Sequence, residues 1–329
     1  MTPVSIGVMG CADIAVRRVL PALVASPAFR VAAVASRDGA KAEAVAARFG
    51  CAAVHGYAGL LARDDIAAVY VPLPAALHAP WARAALEAGK HVLAEKPLTM
   101  SATDTAELLT LARAKGRVLM ENVMFVHHSQ HAAVRQLLRD GAIGKTRAFQ
   151  ASFTIPRLPA NDIRYQAELG GGALWDVGVY PLRAALHLLG ADLSVVGALL
   201  TRGAGQVDTS GAVLLRTAAG VGIHLTFGLD HAYRSAYEIW GSDGRIVLDR
   251  AFTPPASYAP VVQLSRGTAT ENISLAADDQ VAGTLSCFAA ALRGGAVAAT
   301  AEAACLRQAE LLDEVRLLAN DSARPPKVA

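Results

Sequence analysis

The hydrophobic and polar positions of the first part of the chain alternate between short apolar runs and longer amphipathic, alanine-rich segments. Apolar runs that end in glycine, proline or a polar residue are typical of strands buried on both faces of a parallel sheet. The segments between them have the length of helices, and Asp38 and Ser101 stand at N-cap positions. The pattern predicts an α/β fold with a doubly wound parallel sheet of about six strands. These strands are predicted at residues 4–9, 31–35, 52–55, 68–71, 91–94 and 117–120.

After residue 121 the pattern changes to period-two alternation with short glycine-containing turns. Such alternation is typical of an antiparallel sheet with one covered face. A helix over residues 125–139 precedes this sheet, and helices near 279–293 and 299–319 follow it. The strands are predicted at residues 146–155, 195–201, 212–216, 221–227, 235–240 and 244–248. We therefore predict two domains, residues 1–121 and residues 122–329.

Composition limits the class of protein. Hydrophobic residues make up 53% of the 329 residues and the mean hydropathy is +0.34, yet no uninterrupted apolar run reaches the ~20 residues of a membrane span. The net charge of +3 comes from 31 basic and 28 acidic residues without a basic block, so we expect neither a membrane nor a nucleic acid as partner. The N-terminus has no signal-peptide pattern and the four cysteines are scattered, so we expect a cytoplasmic protein.

The turn after the first predicted strand has the spacing of a dinucleotide-binding fingerprint. Gly10 occupies the first glycine position and Ala15 the small third position, whereas Ala12 stands where a second glycine would let the backbone approach the phosphates. Between a strand and a helix, the helix N-terminal amides point at the pyrophosphate. We predict a cofactor-binding turn, with a plain strand-to-helix turn as the alternative. Its cofactor-binding residues are predicted to be Gly10, Cys11, Ala12, Asp13 and Ile14.

The end of the second predicted strand indicates which dinucleotide is bound. An NAD-preferring site usually has an acidic side chain here, but this chain has Ser36 and Arg37. A hydroxyl and a guanidinium suit a 2′-phosphate, so the two residues favour NADP(H). The alternative for Arg37 is an ordinary exposed arginine.

The carboxyl ends of the later strands are expected to meet at the same edge of the sheet. Lys96 follows the fifth strand between Glu95 and Pro97 and is a candidate for a positioned, chemically active amine; the alternative is a solvated surface lysine. Glu95 is placed either to pair with Lys96 or to act as a cap. Glu121, at the end of the sixth strand, is predicted to be a structural partner. Pro72, Leu73 and Pro74 follow the fourth strand at this edge, and we predict that they bind the cofactor together with Glu95 and Lys96.

A glycine-rich segment in the second half opens the helix that carries His187. Residues 170–172 are three glycines, which permit a close backbone approach to a ligand. Asp176 and Tyr180 are four apart, so on an α-helix they share one face. Tyr180 is a candidate donor to a substrate oxygen, the alternative being an amphipathic core tyrosine whose hydroxyl reaches a backbone group.

Taken in order, these motifs resemble the Gfo/Idh/MocA oxidoreductases along nearly the whole chain. The motifs are the turn at residues 10–15, Glu95-Lys96-Pro97, and the Gly-Gly-Gly…Asp-x-Gly-x-Tyr segment that ends at Tyr180. The resemblance implies an N-terminal Rossmann domain and a C-terminal α/β domain with an open, mostly antiparallel sheet. That second domain would bind substrate and form oligomer contacts, so we expect a homodimer or homotetramer. Hydride transfer between NAD(P) and a sugar or sugar-like carbinol is the implied reaction.

The resemblance also implies roles for single residues. Lys96 would lie beside the nicotinamide and the reacting oxygen, and Tyr180 would be the acid/base at a position where some members have histidine. Asp176 would orient the substrate or Lys96. Pro74 and His78 would belong to a loop over the cofactor, although the asparagine usual in that loop is replaced here. The reacting groups would thus come from both domains.

A narrower resemblance, to the NDP-hexose 3-ketoreductases of deoxysugar pathways, lies in residues 10–18, 120–125 and 161–164. It implies that NADPH reduces the C-3 ketone of a dTDP-linked 3,4-diketo-2,6-dideoxyhexose. Lys96 would stabilise the developing alkoxide and Tyr180 would protonate it. Two alternatives stay open: an NADP-dependent aldose or trans-dihydrodiol dehydrogenase, and a non-catalytic NADP-binding regulatory protein.

Two further groups of side chains have open interpretations. Arg164 is a candidate substrate-binding residue that would contact either a nucleotide phosphate or a carboxylate. His127 and His131 are four apart and could ligate a metal, but no acidic or cysteine partner is near them in the sequence. We therefore predict an exposed helix face there and no metal.

Overall fold

The computed structural model describes residues 2–203, 206–294 and 297–322. The chain forms two compact units. The first contains the residues up to 127 together with 281–306, and the second contains residues 128–280 together with those from 307 onward. The predicted domain boundary after residue 121 stays a prediction, and the packing adds a late segment of the chain to the unit that holds the first sheet.

The first unit is built on a six-stranded sheet in which the neighbouring strands are parallel. Its strands are β1 (Val4–Met9), β2 (Phe29–Ser36), β3 (Ala52–His55), β4 (Ala68–Val71), β5 (His91–Glu95) and β6 (Leu119–Asn122). Their order, β3-β2-β1-β4-β5-β6, places the carboxyl ends at one edge. The predicted doubly wound sheet is confirmed. Strand β6 begins and ends later than predicted, so Glu121 and Asn122 are its last residues.

Helices connect these strands, and both predicted caps are present. Asp38 Oδ1 accepts a hydrogen bond from the Lys41 amide at 3.2 Å, and Ser101 Oγ accepts one from the Asp104 amide at 3.1 Å. The first predicted helix begins as a π-helical turn, Ala15–Val19, for which the apolar pattern gives no signal. The α-helices between the strands are α1 (Leu20–Ala25), α2 (Gly39–Phe49), α3 (Tyr57–Leu61), α4 (His78–Glu87) and α5 (Ala102–Ala114).

The late segment of the first unit packs into the core of that unit. Helix α8 (Gln280–Leu292) places Val281, Leu285 and Phe288 in one buried cluster with residues of β1 and β2. The Phe288 ring stacks on that of Phe29 with centroids 6.0 Å apart. This buried apolar contact is why the segment belongs to the first unit rather than to the part of the chain that precedes it.

The second unit contains an eight-stranded mixed sheet. Its strands are β7 (Thr146–Thr154), β8 (Leu193–Arg202), β9 (Asp208–Thr217), β10 (Gly222–Gly228), β11 (Arg234–Gly241), β12 (Arg245–Asp249), β13 (Val261–Arg266) and β14 (Ala269–Ser274). In the order β14-β13-β12-β11-β7-β10-β9-β8, β7 and β10 are parallel and the other neighbours are antiparallel. The predicted open, mostly antiparallel sheet is confirmed. Strands β13 and β14 were not predicted, and of these β14 is largely exposed and has no apolar alternation.

The helices of this unit are α6 (Ser129–Arg139), α7 (Val179–Leu189) and the later part of α9 (Val297–Ser322). The prediction that His127 and His131 lie on one exposed helix face is wrong. His127 ends a separate 3₁₀ turn before α6, and the His131 side chain is fully buried. The inward face of α6 carries Gln130 and His131 beside Val134. These polar side chains find partners inside the unit, which the sequence pattern does not reveal.

No helix among the described residues is long and apolar enough to cross a membrane. The same residues contain no group of three or more histidine, cysteine, aspartate or glutamate side chains placed to hold a metal ion. All four cysteines are free thiols.

Candidate functional site

Gly10 forms the turn at the end of β1. Its φ is +122°, and its amide donates to the Ala35 carbonyl at 2.8 Å. A Cβ at this position would lie 3.0 Å from Leu73 Cδ2 and 3.4 Å from the Pro72 carbonyl oxygen. Both the backbone angle and the lack of space therefore require glycine. The structure brings together two of the predicted cofactor segments, the glycine turn and the loop that begins at Pro72.

The side chains that follow Gly10 bind other parts of the first unit. Cys11 is buried, its Sγ lies 3.9 Å from the Lys41 carbonyl oxygen, and burial raises the pKa of its thiol. Asp13 pairs with Arg17 on the exposed side of the helix. The first amides of a helix generally have no acceptor within the helix. The backbone, rather than these side chains, is therefore what the turn offers to an anion such as a pyrophosphate.

The end of β2 presents a hydroxyl and a cation. Ser36 is buried, and its Oγ accepts from the Asp38 amide at 3.1 Å. Arg37 is exposed, and its carbonyl oxygen lies 2.9 Å from His55 Nε2. The pKa of Tyr57 is raised by burial, and the neighbouring Arg37 guanidinium opposes part of this rise. An exposed guanidinium beside a hydroxyl at this strand end fits a 2′-phosphate, so the residues present fit NADP(H).

Glu95 is a buried carboxylate with two side-chain donors. The Tyr70 hydroxyl on β4 donates to its Oε1 at 2.7 Å, and Asn122 Nδ2 on β6 donates to the same atom at 2.6 Å. Burial raises the pKa of Glu95, while the Tyr70 hydrogen bond and the charge of Lys96 oppose that shift. Neither Tyr70 nor Asn122 was predicted as a partner of Glu95. The available signal was a tyrosine in a fully apolar strand, since a buried tyrosine hydroxyl requires a partner.

Buried side chains also bind the backbone next to Lys96. The Leu98 amide donates to Glu121 Oε1 at 2.9 Å, which confirms the predicted structural role of Glu121. His78 Nδ1 lies 2.7 Å from the Pro97 carbonyl oxygen, and its Nε2 lies 2.7 Å from that of Leu73. His78 is buried, so its ring joins the Lys96 loop to the loop after β4. Lys96 itself is half-buried, and the Lys96–Pro97 peptide bond is cis.

In the second unit, Arg164 and Asp176 form an ion pair. Arg164 Nε donates to Asp176 Oδ2 at 2.6 Å, and its Nη1 donates to Asp162 Oδ1 at 3.1 Å. Burial alone would lower the pKa of Arg164, but the two carboxylates hold it above its ordinary value. The structure thus joins two predicted substrate-binding residues and gives Arg164 carboxylate partners within the chain.

The three glycines pack against the turn that carries Arg164. Gly170 and Gly172 have φ of +78° and +125°. A Cβ on Gly171 would lie 2.6 Å from the Arg164 carbonyl oxygen, which in turn accepts from the Gly172 amide at 2.9 Å. Asp208 fixes the next turn by accepting from the Leu174 amide at 2.7 Å. The need for glycine here follows from contacts within the chain.

Tyr180 lies at the start of α7, after a π-helical turn at Leu174–Gly178. The prediction that Asp176 and Tyr180 share a helix face assumed α-helical spacing, which a π-helical turn changes. Asp176 pairs with Arg164, whereas the half-buried Tyr180 ring contacts the ring of Phe153 at 4.8 Å. Different contacts therefore hold the ion pair and the phenol of this segment in place.

Two family models match the chain: "Oxidoreductase family, NAD-binding Rossmann fold" over residues 4–123 and "GFO/IDH/MocA C-terminal domain" over residues 131–247. The chain is 54% identical to a dTDP-3,4-didehydro-2,6-dideoxy-alpha-D-glucose 3-reductase of Streptomyces violaceoruber, over 96% of this chain and 95% of the relative. A protein of the same name from Saccharopolyspora spinosa is 53% identical, over 95% and 96%.

Among solved structures, the chain is similar to KijD10, a 3-ketoreductase from Actinomadura kijaniata, in complex with NADP and TDP-benzene. The TM-score is 0.94 at 52% identity, over 96% of this chain and 98% of that chain. Other KijD10 structures carry a tyrosine replaced by phenylalanine, or a lysine replaced by alanine or glutamate. These two substituted residues are separated by the same number of positions as Lys96 and Tyr180.

Proposed function

We propose that this chain, which belongs to the Gfo/Idh/MocA oxidoreductase family, is a 3-ketoreductase. With NADPH, it would reduce the C-3 ketone of a dTDP-linked 3,4-diketo-2,6-dideoxyhexose. The observation that carries the proposal is the identity of 54% to a named 3-reductase along 96% of the chain. The similarity extends over nearly the full length of both chains, so it covers both units and not the first unit alone.

The first unit would hold the cofactor, which supplies the hydride when bound. The backbone of residues 10–14 would bind the pyrophosphate, and Ser36 and Arg37 would bind the 2′-phosphate. Residues 72–74 and Glu95 would line the rest of the site, with His78 holding the two loops together through the contacts described above. Arg37 supports the preference for NADPH because its guanidinium is exposed.

Lys96 and Tyr180 would carry the chemistry on the substrate oxygen. The Lys96 ammonium would stabilise negative charge as it develops on the C-3 oxygen, and the Tyr180 hydroxyl would donate the proton. Arg164 and Asp176 would bind the substrate. The matching separation of the substituted lysine and tyrosine in KijD10 supports this pair of residues.

The second unit would also form the oligomer, a homodimer or homotetramer. Leu199, Leu214 and Trp240 are 59%, 38% and 44% exposed on strands of the open sheet. The strand register places all three on one face, because paired residues share a face and residues two apart along a strand do too. An exposed apolar face of this kind suits subunit contacts. The four free thiols suit the cytoplasm as the proposed location.

The proposal is tested by following NADPH consumption with the dTDP-linked 3,4-diketo sugar, and NADP+ reduction with free pentoses and with aryl trans-dihydrodiols. We expect turnover with the nucleotide sugar and a much lower KM for NADPH than for NADH. Turnover with pentoses or diols alone would favour an aldose or dihydrodiol dehydrogenase, and no turnover with any of them would favour a regulatory protein.

The role of Lys96 is tested with the Lys96→Ala variant. It should bind NADPH with near-normal affinity but lose about a hundredfold or more in kcat, since it removes electrostatic stabilisation of the developing charge. Near-full kcat in this variant would reject the assignment of Lys96.

A further inference from the structure

Three aromatic rings of the second unit contact one another, and one of them belongs to Tyr180. Phe153, on β7, meets the Tyr180 ring edge-on, at a centroid distance of 4.8 Å and an angle of 75°. The ring of Phe252, which follows β12, lies 5.8 Å from that of Tyr180 and 5.3 Å from that of Phe153. Both phenylalanines are buried. Two buried rings therefore pack against the tyrosine ring.

The backbone holds Phe252 in this place. Arg250 has a φ of +47°, in the left-handed region, and turns the chain after β12. The amide of Ala251 then donates to the Ser235 carbonyl oxygen at 2.9 Å, and that of Phe252 donates to Ser235 Oγ at 3.1 Å. Ser235 belongs to β11, so the position of the Phe252 ring follows from the sheet.

Two buried polar side chains bind the carbonyl oxygen of Ala251. His131 Nε2 lies 2.9 Å from it and Gln130 Nε2 donates to it at 3.1 Å, while the Tyr237 hydroxyl oxygen lies 3.0 Å from His131 Nδ1. Burial lowers the pKa of His131 to about 3 and raises that of Tyr237. The neutral ring therefore donates from Nε2 to Ala251, and its Nδ1 accepts from Tyr237. One histidine thus ties α6 and β11 to the turn before Phe252.

We propose that Phe252 is a positioning residue for Tyr180: its ring restricts the tyrosine side chain to one rotamer and so fixes where the hydroxyl lies. The consequence for turnover rests on the proposed role of Tyr180 as proton donor. A tyrosine without such neighbours samples several staggered rotamers. Displacement of a reacting group by about 1 Å can lower the rate about a hundredfold, so this restriction matters for proton delivery.

The Phe252→Leu variant tests the proposal in the full-length enzyme. It keeps the site apolar and removes only the ring. We expect kcat with the nucleotide sugar to fall about tenfold or more, while the KM for NADPH stays within about twofold, because Phe252 belongs to the second unit and the proposed cofactor residues belong to the first. The matched control is Phe288→Leu, an equally buried phenylalanine of the first unit that stacks on Phe29. Its kcat should stay near the wild-type value.

Two further measurements separate positioning from a general loss of structure. In a double-mutant cycle, adding Phe252→Leu to Tyr180→Phe should lower kcat no further, because the hydroxyl to be positioned is already absent. Losses that multiply would overturn the proposal.

The second measurement does not depend on activity. Protein labelled with 3-fluorotyrosine gives a fluorine resonance for Tyr180, identified by its loss in Tyr180→Phe, and Phe252→Leu should change its line width while Phe288→Leu should not. An unchanged resonance in Phe252→Leu would overturn the proposal. If Tyr180→Phe alone keeps full kcat, the proposed function of Tyr180 fails, and the fluorine resonance alone then decides whether Phe252 positions the ring.

Discussion

The loop that carries Lys96 and the segment that carries Tyr180 are held in place by different kinds of contact. Buried hydrogen bonds hold the first, since Glu95 accepts from two side chains and buried side chains bind the backbone of the next residues. Glycine packing and aromatic rings hold the second. The ion pair of that segment, Arg164 with Asp176, has side chains that are 37% and 21% exposed.

The difference decides which changes each segment tolerates. A buried donor that loses its acceptor costs about 1–3 kcal/mol, whereas an exposed ion pair contributes about 0–1 kcal/mol. We therefore expect the structure of the Lys96 loop to be sensitive to the loss of a buried polar group. The structure of the Tyr180 segment should be sensitive to changes in side-chain shape. Substitutions that change one property at a time test this distinction.

The largest effect on stability is expected from Glu95→Leu. The substitution removes the buried carboxylate oxygen that accepts from both the Tyr70 hydroxyl and the Asn122 amide. The free energy of unfolding should fall by about 3–5 kcal/mol, measured by urea denaturation. The control is Glu107→Leu, whose ion pair with Arg83 is 56% and 41% exposed and should be worth less than about 1 kcal/mol. Equal losses in the two variants would contradict the distinction.

Most of the first unit could be predicted from the sequence, because apolar runs and caps set its strands and parallel topology sets where their ends meet. Gly10, Ser36 and Lys96 fall at strand ends as expected. The partnership of Glu95 with Tyr70 and Asn122 could not be predicted, since it depends on the register between strands.

The second unit was less predictable. Its π-helical turn at Leu174–Gly178 changes how Asp176 and Tyr180 are directed, and no hydrophobic period marks such a turn. His131 was misjudged because a polar residue on a helix is usually solvated, whereas here the partners come from distant parts of the chain. The roles of Lys96 and Tyr180 came from the resemblance and stay a proposal.

Gly171→Ala tests the role of shape. The added Cβ would lie 2.6 Å from the Arg164 carbonyl oxygen, so the backbone must move. We expect the free energy of unfolding to fall by about 2–3 kcal/mol and the KM for the nucleotide sugar to rise, because Arg164 moves with its turn. Gly197→Ala is the control, since a Cβ added there would have no described atom within 4 Å and the φ of Gly197 is not positive. Equal stability of the two variants would show that the close approach is unimportant.

A pH dependence tests whether buried polar groups also support the second segment. Burial lowers the pKa of His131 from 6.5 to about 3, so between these values the unfolded chain binds a proton that the folded chain does not. Stability from this group is complete above pH 6.5 and is lost as the pH falls, by about 2 kcal/mol between pH 7 and pH 5. His131→Gln should reduce the change in unfolding free energy between pH 7 and pH 5 by that amount. An unchanged slope would mean that His131 is not buried as a neutral ring.

The smallest effect on stability is expected from Asp176→Asn, which keeps the shape of the side chain and removes its charge. Because the ion pair with Arg164 is partly exposed, the free energy of unfolding should fall by less than about 1 kcal/mol. Arg164 keeps Asp162 as a partner, so the turn should stay in place. The KM for the nucleotide sugar should nevertheless rise several-fold if the pair binds substrate, with the KM for NADPH unchanged. A loss of stability as large as that of Glu95→Leu would show that this segment, too, depends on buried polarity.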